Sequence, residues 1–258
     1  MVDQKTKPQD AAEKINKMSE KQILADLLKN VPSNDAVAVS LPSKNRFYSL
    51  VDAGKPITLR PMTFDDEKAM LSKNNANQDV LNILLGRCLG NIEVGQLLQM
   101  DKLYLIMKLR EISYGDEYSA TISCNSCRRD NQVTFELSKL QVKLIGEDLT
   151  NPVEIELPVI KKKTKVRLPR VADENYFSNA EFAVNNLWRF VEEVDGHDSK
   201  GLISKLIPEL PIKDVHAILD VLSGTDYGID TKVRFLCNYC SHNEILELPI
   251  TSDFFSGN

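Results

Sequence analysis

The apolar positions along the chain repeat with two different periods, and the switches between them outline its elements. Ala36-Val-Ala-Val-Ser-Leu41 alternates like a half-buried strand and stops at Pro42-Ser43, and Lys55 to Arg60 is a second short strand closed by Pro61. Thr63, with Asp66 and Glu67 in the turn that follows, reads as a capped helix start. Helical spacing runs through Leu71, breaks near Asn74-Asn75 and resumes from Asp79 to Leu89, where Val80, Leu81, Ile83, Leu84 and Leu85 predict a buried helix. Gly95 to Ser113 predicts a third helix, with Leu103, Leu105, Ile106, Met107 and Leu109 inward and Lys102, Lys108, Arg110 and Glu111 outward. Tyr114-Gly115 ends it.

From Tyr118 the period becomes two. Tyr118 to Ser123 and Gln132 to Leu137 are strands around the turn Cys124-Asn-Ser-Cys127, and Val153 to Leu157 with Lys165 to Leu168 predicts a second hairpin bounded by proline. Residues 173–222 read as helix again, with Phe177, Phe182, Val184, Leu187, Trp188, Phe190 and Val191 on one face, and a further helix from Ile212 to Leu222 after Pro208 and Pro211. Thr231 to Leu236 and Glu244 to Leu248 are strands around Cys237-Asn-Tyr-Cys240. The order predicts an α+β fold, a helical core carrying short β-hairpins. Ahead of it, Lys14 to Lys29 places Ile15, Met18, Ile23, Leu24, Leu27 and Leu28 on one side of an amphipathic helix. A short helix without a core of its own is marginal, so residues 1–35 are expected to be a flexible or partner-docked N-terminal arm and 36–258 the main domain.

Composition narrows the function. With 258 residues, 42% apolar and 27% charged, the chain suits one large domain or two modest ones. It has no run of eighteen apolar residues to span a membrane. Met1 to Asp10 lacks an apolar signal core, which points to the cytoplasm in which the chain is made. A net charge of −5 supplies no general attraction to nucleic acid or an anionic membrane.

Four of the five cysteines form two Cys-x-x-Cys pairs, Cys124 with Cys127 and Cys237 with Cys240. Two residues between cysteines let both thiolates of one turn reach a single ion, and two such turns complete the tetrahedral set of a structural zinc site. One Zn2+ per chain is expected, closed to water and substrate. Roughly 110 residues separate the pairs, against about 15–20 in an ordinary zinc ribbon, so residues of about 171–225 would be a helical insertion between two distant knuckles. The two segments match as Cys127-x5-Val133-Thr-Phe-Glu-Leu against Cys240-x4-Ile245-Leu-Glu-Leu. The same thiolates also fit an iron–sulfur cluster, and free thiols are the third alternative. Cys88 reads as a small buried residue. His242 is a competing ligand only if the cysteines leave a place, and His197 and His216 have no partners in the pattern.

No phosphate loop, dinucleotide fingerprint, zinc-protease motif or nucleophile elbow is present, and no nucleophile, base and oxyanion donors assemble. No catalytic residue and no small-molecule substrate are expected. Lys161-Lys-Lys-Thr-Lys-Val-Arg167 and Arg128-Arg129 could neutralise phosphates, so a zinc-ribbon nucleic-acid-binding or transcription-related factor is the alternative function. No aromatic residue interleaves with the lysines for base stacking.

Several segments in order carry a resemblance: Leu41-Pro-Ser43 with Phe47-Tyr48, Ile57-Thr-Leu-Arg60-Pro61-Met62-Thr63 with Asp66-Glu-Lys68, Asp101-Lys-Leu-Tyr104, Leu109-Arg110-Glu-Ile-Ser113-Tyr114-Gly115, and Tyr118 leading into Cys124-x-x-Cys127 and Val133 to Leu140. Together they resemble the baseplate hub assembly proteins of T-even-type contractile-tail phages, over roughly residues 37–250. The resemblance implies a non-enzymatic structural or assembly protein that binds other baseplate hub and tail proteins. It would act in the host cytoplasm during assembly and then in the virion tail baseplate. On that reading residues 36–258 form a baseplate hub-like domain.

Overall fold

The computed structural model describes residues 20–28, 35–48, 55–71, 80–177, 184–223, 227–250 and 252–255. The chain divides into two units, residues 1–35 and 36–258. In the first, residues 20–28 form helix α1, in which every residue is exposed, Ile23, Leu24, Leu27 and Leu28 included. Positions 14–19 and 29 of the helix expected from the sequence lie outside the described residues, as do Asn74, Asn75, Asp79 and Phe182 of the other expected elements.

The second unit is built around one helix. Strands β1 (Val37–Ala38), β2 (Thr58–Leu59) and β3 (Leu89–Gly90) form an antiparallel sheet in that order, with Val37 opposite Leu59 and Leu59 opposite Leu89. Helices α2 (Phe64–Leu71) and α3 (Val80–Cys88) stand between β2 and β3, and α4 (Gln99–Tyr114) follows. In α3, Leu84, Leu85 and Cys88 are buried while Leu81 and Ile83 are only partly so. α4 stops where Gly115, at φ 94, donates its N–H to the Glu111 carbonyl at 2.9 Å, a backbone angle that favours glycine.

The expected outward face of α4 is partly overturned. Lys102 and Arg110 are buried, together with Asp101 and with Leu105, Ile106, Met107 and Leu109 of the expected inward face. Neighbours cover α4 on more than one side, and its long cations bury their stems and end on partners. Lys102 Nζ donates to both Glu174 carboxylate oxygens at 2.8 and 3.0 Å. The Arg110 guanidinium lies 4.7 Å from the Tyr114 ring centroid and 6.0 Å from that of Tyr118.

The segments singled out in the sequence converge on this helix. At its N-terminal end the Asp101 carboxylate accepts the Ser43 N–H at 3.1 Å and the Tyr48 hydroxyl at 2.5 Å, and the Tyr48 oxygen accepts the Leu98 N–H at 2.9 Å. At its C-terminal end Ser113 Oγ accepts the Met62 N–H at 2.9 Å. Between them, the Asp66 carboxylate in the first turn of α2 accepts the Thr63 N–H at 2.8 Å and its hydroxyl at 2.9 Å, while the Thr63 carbonyl accepts the Asp66 N–H at 3.0 Å; the Thr63 hydroxyl expected to cap the helix is thus a donor to its first turn. Arg60 grips the same carboxylate with both terminal nitrogens at 2.7 and 3.1 Å, and Arg87 adds Nε at 2.7 Å. Burial pushes the Asp66 carboxyl up, but these donors outweigh it and hold it well below the usual range.

A second core lies under the sheet β7 (Val153–Glu156), β8 (Lys163–Val166) and β9 (Val191–Val194), antiparallel throughout, with α5 (Lys200–Leu206) and α6 (Ile212–Ser223). Leu157, Val166, Leu187, Phe190, Val191, Ile203 and Ile218 fill it. The helical reading of residues 173–222 fails at β9. Val191-Glu-Glu-Val194 suits either period, and pairing of Val191 with Val166 decides for strand. The remaining strands are short: β4 (Glu117–Ser123) pairs with β5 (Asp130–Glu136), β6 (Val142–Lys143) with β10 (Gly228–Ile229), and β11 (Lys232–Leu236) with β12 (Asn243–Glu247). The molecule is thus a mixed helix-and-sheet protein with small antiparallel sheets.

Candidate metal centre

The turns of the hairpins β4–β5 and β11–β12 have one construction. In the first, the Cys124 N–H donates to the Arg129 carbonyl at 3.0 Å and the Arg128 N–H donates back to Cys124 at 2.9 Å. In the second, Cys237 donates to His242 at 2.9 Å and Ser241 donates to Cys237 at 3.0 Å. Each turn closes through a left-handed residue, Arg128 at φ 61 and Ser241 at φ 58. That conformation usually calls for glycine, so neither turn announces itself by a glycine after its second cysteine. The pairs Ser123 with Asp130 and Leu236 with Asn243 close the two ladders at equivalent places. This register sets Val133 against Leu246, not Ile245, so the repeat read from the sequence was slipped by one residue. The slip matters because strand faces alternate: Leu246 packs inward beside Phe235, Ile122 and Val133, whereas Ile245 is exposed.

The two turns meet head to head. Cys124 Sγ lies 3.7 Å from Cys240 Sγ, Cys127 Sγ lies 3.6 Å from Cys237 Sγ, and all four sulfurs fall within 4.8 Å of one another. A tetrahedral zinc site with Zn–S of about 2.3 Å has sulfur–sulfur edges of about 3.8 Å, so the donor set has the size of a metal site. The Tyr239 N–H points at Cys237 Sγ at 3.4 Å. Burial raises the Cys237 thiol, but this amide and that of Cys240 outweigh it and hold the thiol below its ordinary range. For Cys127 the Arg129 amide pulls down, and burial with hydrogen bonds that its thiol donates to the other three wins upward. Cys88 stands apart, its thiol pushed up to about 11 by burial. None of the three histidines joins the cluster: His197 and His216 are exposed, and His242 Nε2 lies 3.8 Å from Glu244.

Side chains outside the metal set lock the turns together. Asn131, buried on β5, accepts the Asn238 N–H at 2.9 Å and directs its Nδ2 to Cys237 Sγ at 3.6 Å and to the Arg129 carbonyl at 3.0 Å. At the equivalent place on β12, Glu244 accepts Asn125 Nδ2 at 2.8 Å. Each hairpin therefore reaches, seven residues after its first cysteine, to the residue following the other hairpin's first cysteine. Arg129 also lies 5.0 Å from the Tyr239 ring centroid. Asn131 was not singled out in the sequence. The repeated Cys-Asn-x-Cys with the corrected register is the signal that would have found it.

The family described as T4 bacteriophage base plate protein is matched by residues 41–256, more than half of the chain. The chain belongs to this family. No curated protein and no solved structure matches it.

For a T4-type baseplate protein, the matched span contains both cysteine turns and every segment that converges on α4. Family membership places the protein in the structural baseplate of the virion tail, among other tail proteins. Among the described residues no helix is long and apolar enough to cross a membrane. The cations of the basic run of this baseplate protein each face an acid of the β7–β9 sheet or of the chain beside it. Lys161 faces Glu156 at 3.9 Å, Lys162 Asp195 at 2.6 Å, Lys163 Glu154 at 3.6 Å, Lys165 Glu193 at 2.7 Å and Arg167 Asp173 at 2.7 Å.

Proposed function

We propose that this chain is an assembly protein of the baseplate hub, acting through protein contacts without catalysis, with one structural zinc ion held by Cys124, Cys127, Cys237 and Cys240. The family match over residues 41–256 carries this reading. The sulfur geometry supports zinc, because four thiolates fill a tetrahedral site and leave no position for substrate. Zinc bound there would tie β11–β12 to the middle of the chain and hold one rigid shape for partners. Residues 1–35 are a partner-docking arm on this reading, since the apolar side chains of α1 are all exposed. The intervening segment of about 171–225 is an insertion carried by the same hub domain.

The test is co-expression with the other baseplate genes of its phage, followed by co-purification and metal analysis. A stable complex with hub proteins and one zinc per chain is expected, and deletion of residues 1–35 should weaken the complex without lowering the zinc content. A chain that binds no tail protein but shifts DNA or RNA in a salt-sensitive way would replace this reading with the nucleic-acid one. Matched ion pairs along the basic run speak against that outcome.

A further inference from the structure

Each cysteine hairpin is only two strands wide and so has free edges. A cleft of about 600 Å³ lies between the hairpins, lined by Thr134, Phe135 and Glu136 of β5 and by Lys232, Val233 and Arg234 of β11. Successive side chains of a strand point to opposite faces. Three consecutive residues share one wall only where a cleft runs along the strand's edge. β4, the pairing partner of β5, contributes nothing to the lining, so the cleft faces the free edge of β5; the opposite wall is β11 together with Ile245 of its partner β12. Its floor is the chain beyond the β6–β10 pair, where the Asp230 N–H donates to the Gln141 carbonyl at 2.8 Å.

The charges on the two walls differ. On the β5 side Lys139 is paired with Glu136 at 2.7 Å. On β11 Lys232 and Arg234 are exposed and, among the described residues, neither is in an ion pair, although Lys232 stands opposite Glu247 of β12. Arg234 stands opposite Ile245 of β12, which is 70% exposed. In a chain of net charge −5, whose basic run 161–167 is matched to acids, two cations in no ion pair beside an exposed aliphatic residue mark a surface suited to an acidic, partly apolar segment.

We propose that this cleft takes an extended acidic segment of a partner protein as an added β-strand. Its backbone would pair with the open strand edge, its carboxylates with Lys232 and Arg234, and an apolar side chain would cover Ile245. Open edges template such pairing. The proposal goes beyond the hub reading and does not depend on which metal the cysteines hold.

The probe is a short labelled peptide alternating glutamate and valine, titrated into the full-length chain and followed by fluorescence anisotropy and amide hydrogen exchange. Expected results are slowed exchange at 134–136 and 232–234, and an affinity that falls at least about tenfold in the doubly substituted Lys232→Glu, Arg234→Glu chain. Binding should vanish when alternate peptide nitrogens are methylated, a control that leaves the protein untouched. Absent binding, equal binding to the doubly substituted chain, or equal binding of the methylated peptide would overturn the proposal. A dimer whose 134–136 and 232–234 amides are protected without peptide would overturn it too, because a second copy would then fill the cleft. Failure to co-purify with tail proteins while the peptide binds would count against the hub reading alone.

Discussion

Asn131 and Asn125 occupy reciprocal places in the cysteine clasp, yet their surroundings set different energetic weights. Asn131 is 2% exposed and places both ends of its buried amide on partners in the other turn and its own, while Asn125 meets Glu244 in the open. Losing a buried partner costs about 1–3 kcal/mol, whereas an exposed hydrogen bond is worth about 1 kcal/mol or less. Asn131→Ala should therefore destabilise the metal-loaded chain by about 1–3 kcal/mol and Asn125→Ala by well under 1 kcal/mol, read by denaturant unfolding. Cys237→Ser should lose the metal and loosen the C-terminal hairpin; unchanged melting and metal content in that variant would refute the cross-link. The cysteines were legible in the sequence because ligand spacing is local. Asn131 was not, because its role depends on the register of a second hairpin more than a hundred residues away.

At the scale of elements, the two carboxylates that organise α2 and α4 respond to pH with opposite sign. Asp66 is held below its ordinary range by Arg60, Arg87 and the Thr63 N–H and hydroxyl, so its contribution is present above about pH 4 and is lost as pH falls through the depressed value. Asp101 is raised, chiefly by burial. Its contribution is present below about pH 4 and is lost as pH rises through the raised value. Unfolding free energy measured from pH 7 down to pH 3 should thus fall less steeply in Asp66→Asn and more steeply in Asp101→Asn than in the parent. Asp66→Ala at neutral pH should cost about 2–3 kcal/mol, the low end for a broken buried pair because Arg60 and Arg87 reach solvent. The start of α2, the end of α4 and the hairpins were readable from Thr63, Asp66, Gly115 and the alternating strands, although the Thr63 hydroxyl donates to Asp66 where a cap was expected. The burial of Lys102 and Arg110 on α4 and the strand β9 were not, since both depend on what packs around them: Lys102 needs Glu174, and Val191 needs Val166.

For the molecule as a whole, the C-terminal segment is anchored twice, at the cysteine cluster and where Phe254 and Phe255 enter the main core against Tyr118. Structural zinc supplies about 10–16 kcal/mol in small knuckle peptides, comparable with the whole stability of a domain at about 5–15 kcal/mol. Chelation should accordingly release amide protection across β11 and β12 while α4, held by apolar burial, keeps its own; loss of protection in both together would show that the ribbon and core fold as one. The family was legible because its segments meet on α4, where Ser43, Tyr48, Met62 and Tyr118 answer to Asp101, Ser113 and Arg110. The joining of two distant turns by four thiolates also has a temporal side. A ribosome adding about 5–20 residues per second finishes Cys127 roughly 6–20 s before it reaches Cys237. Through that interval the first turn holds half a ligand set, and a chain released before Cys240 never completes it. Closure of the cluster therefore reports that synthesis has passed Cys240, so chains terminated earlier would lack the link between the two turns.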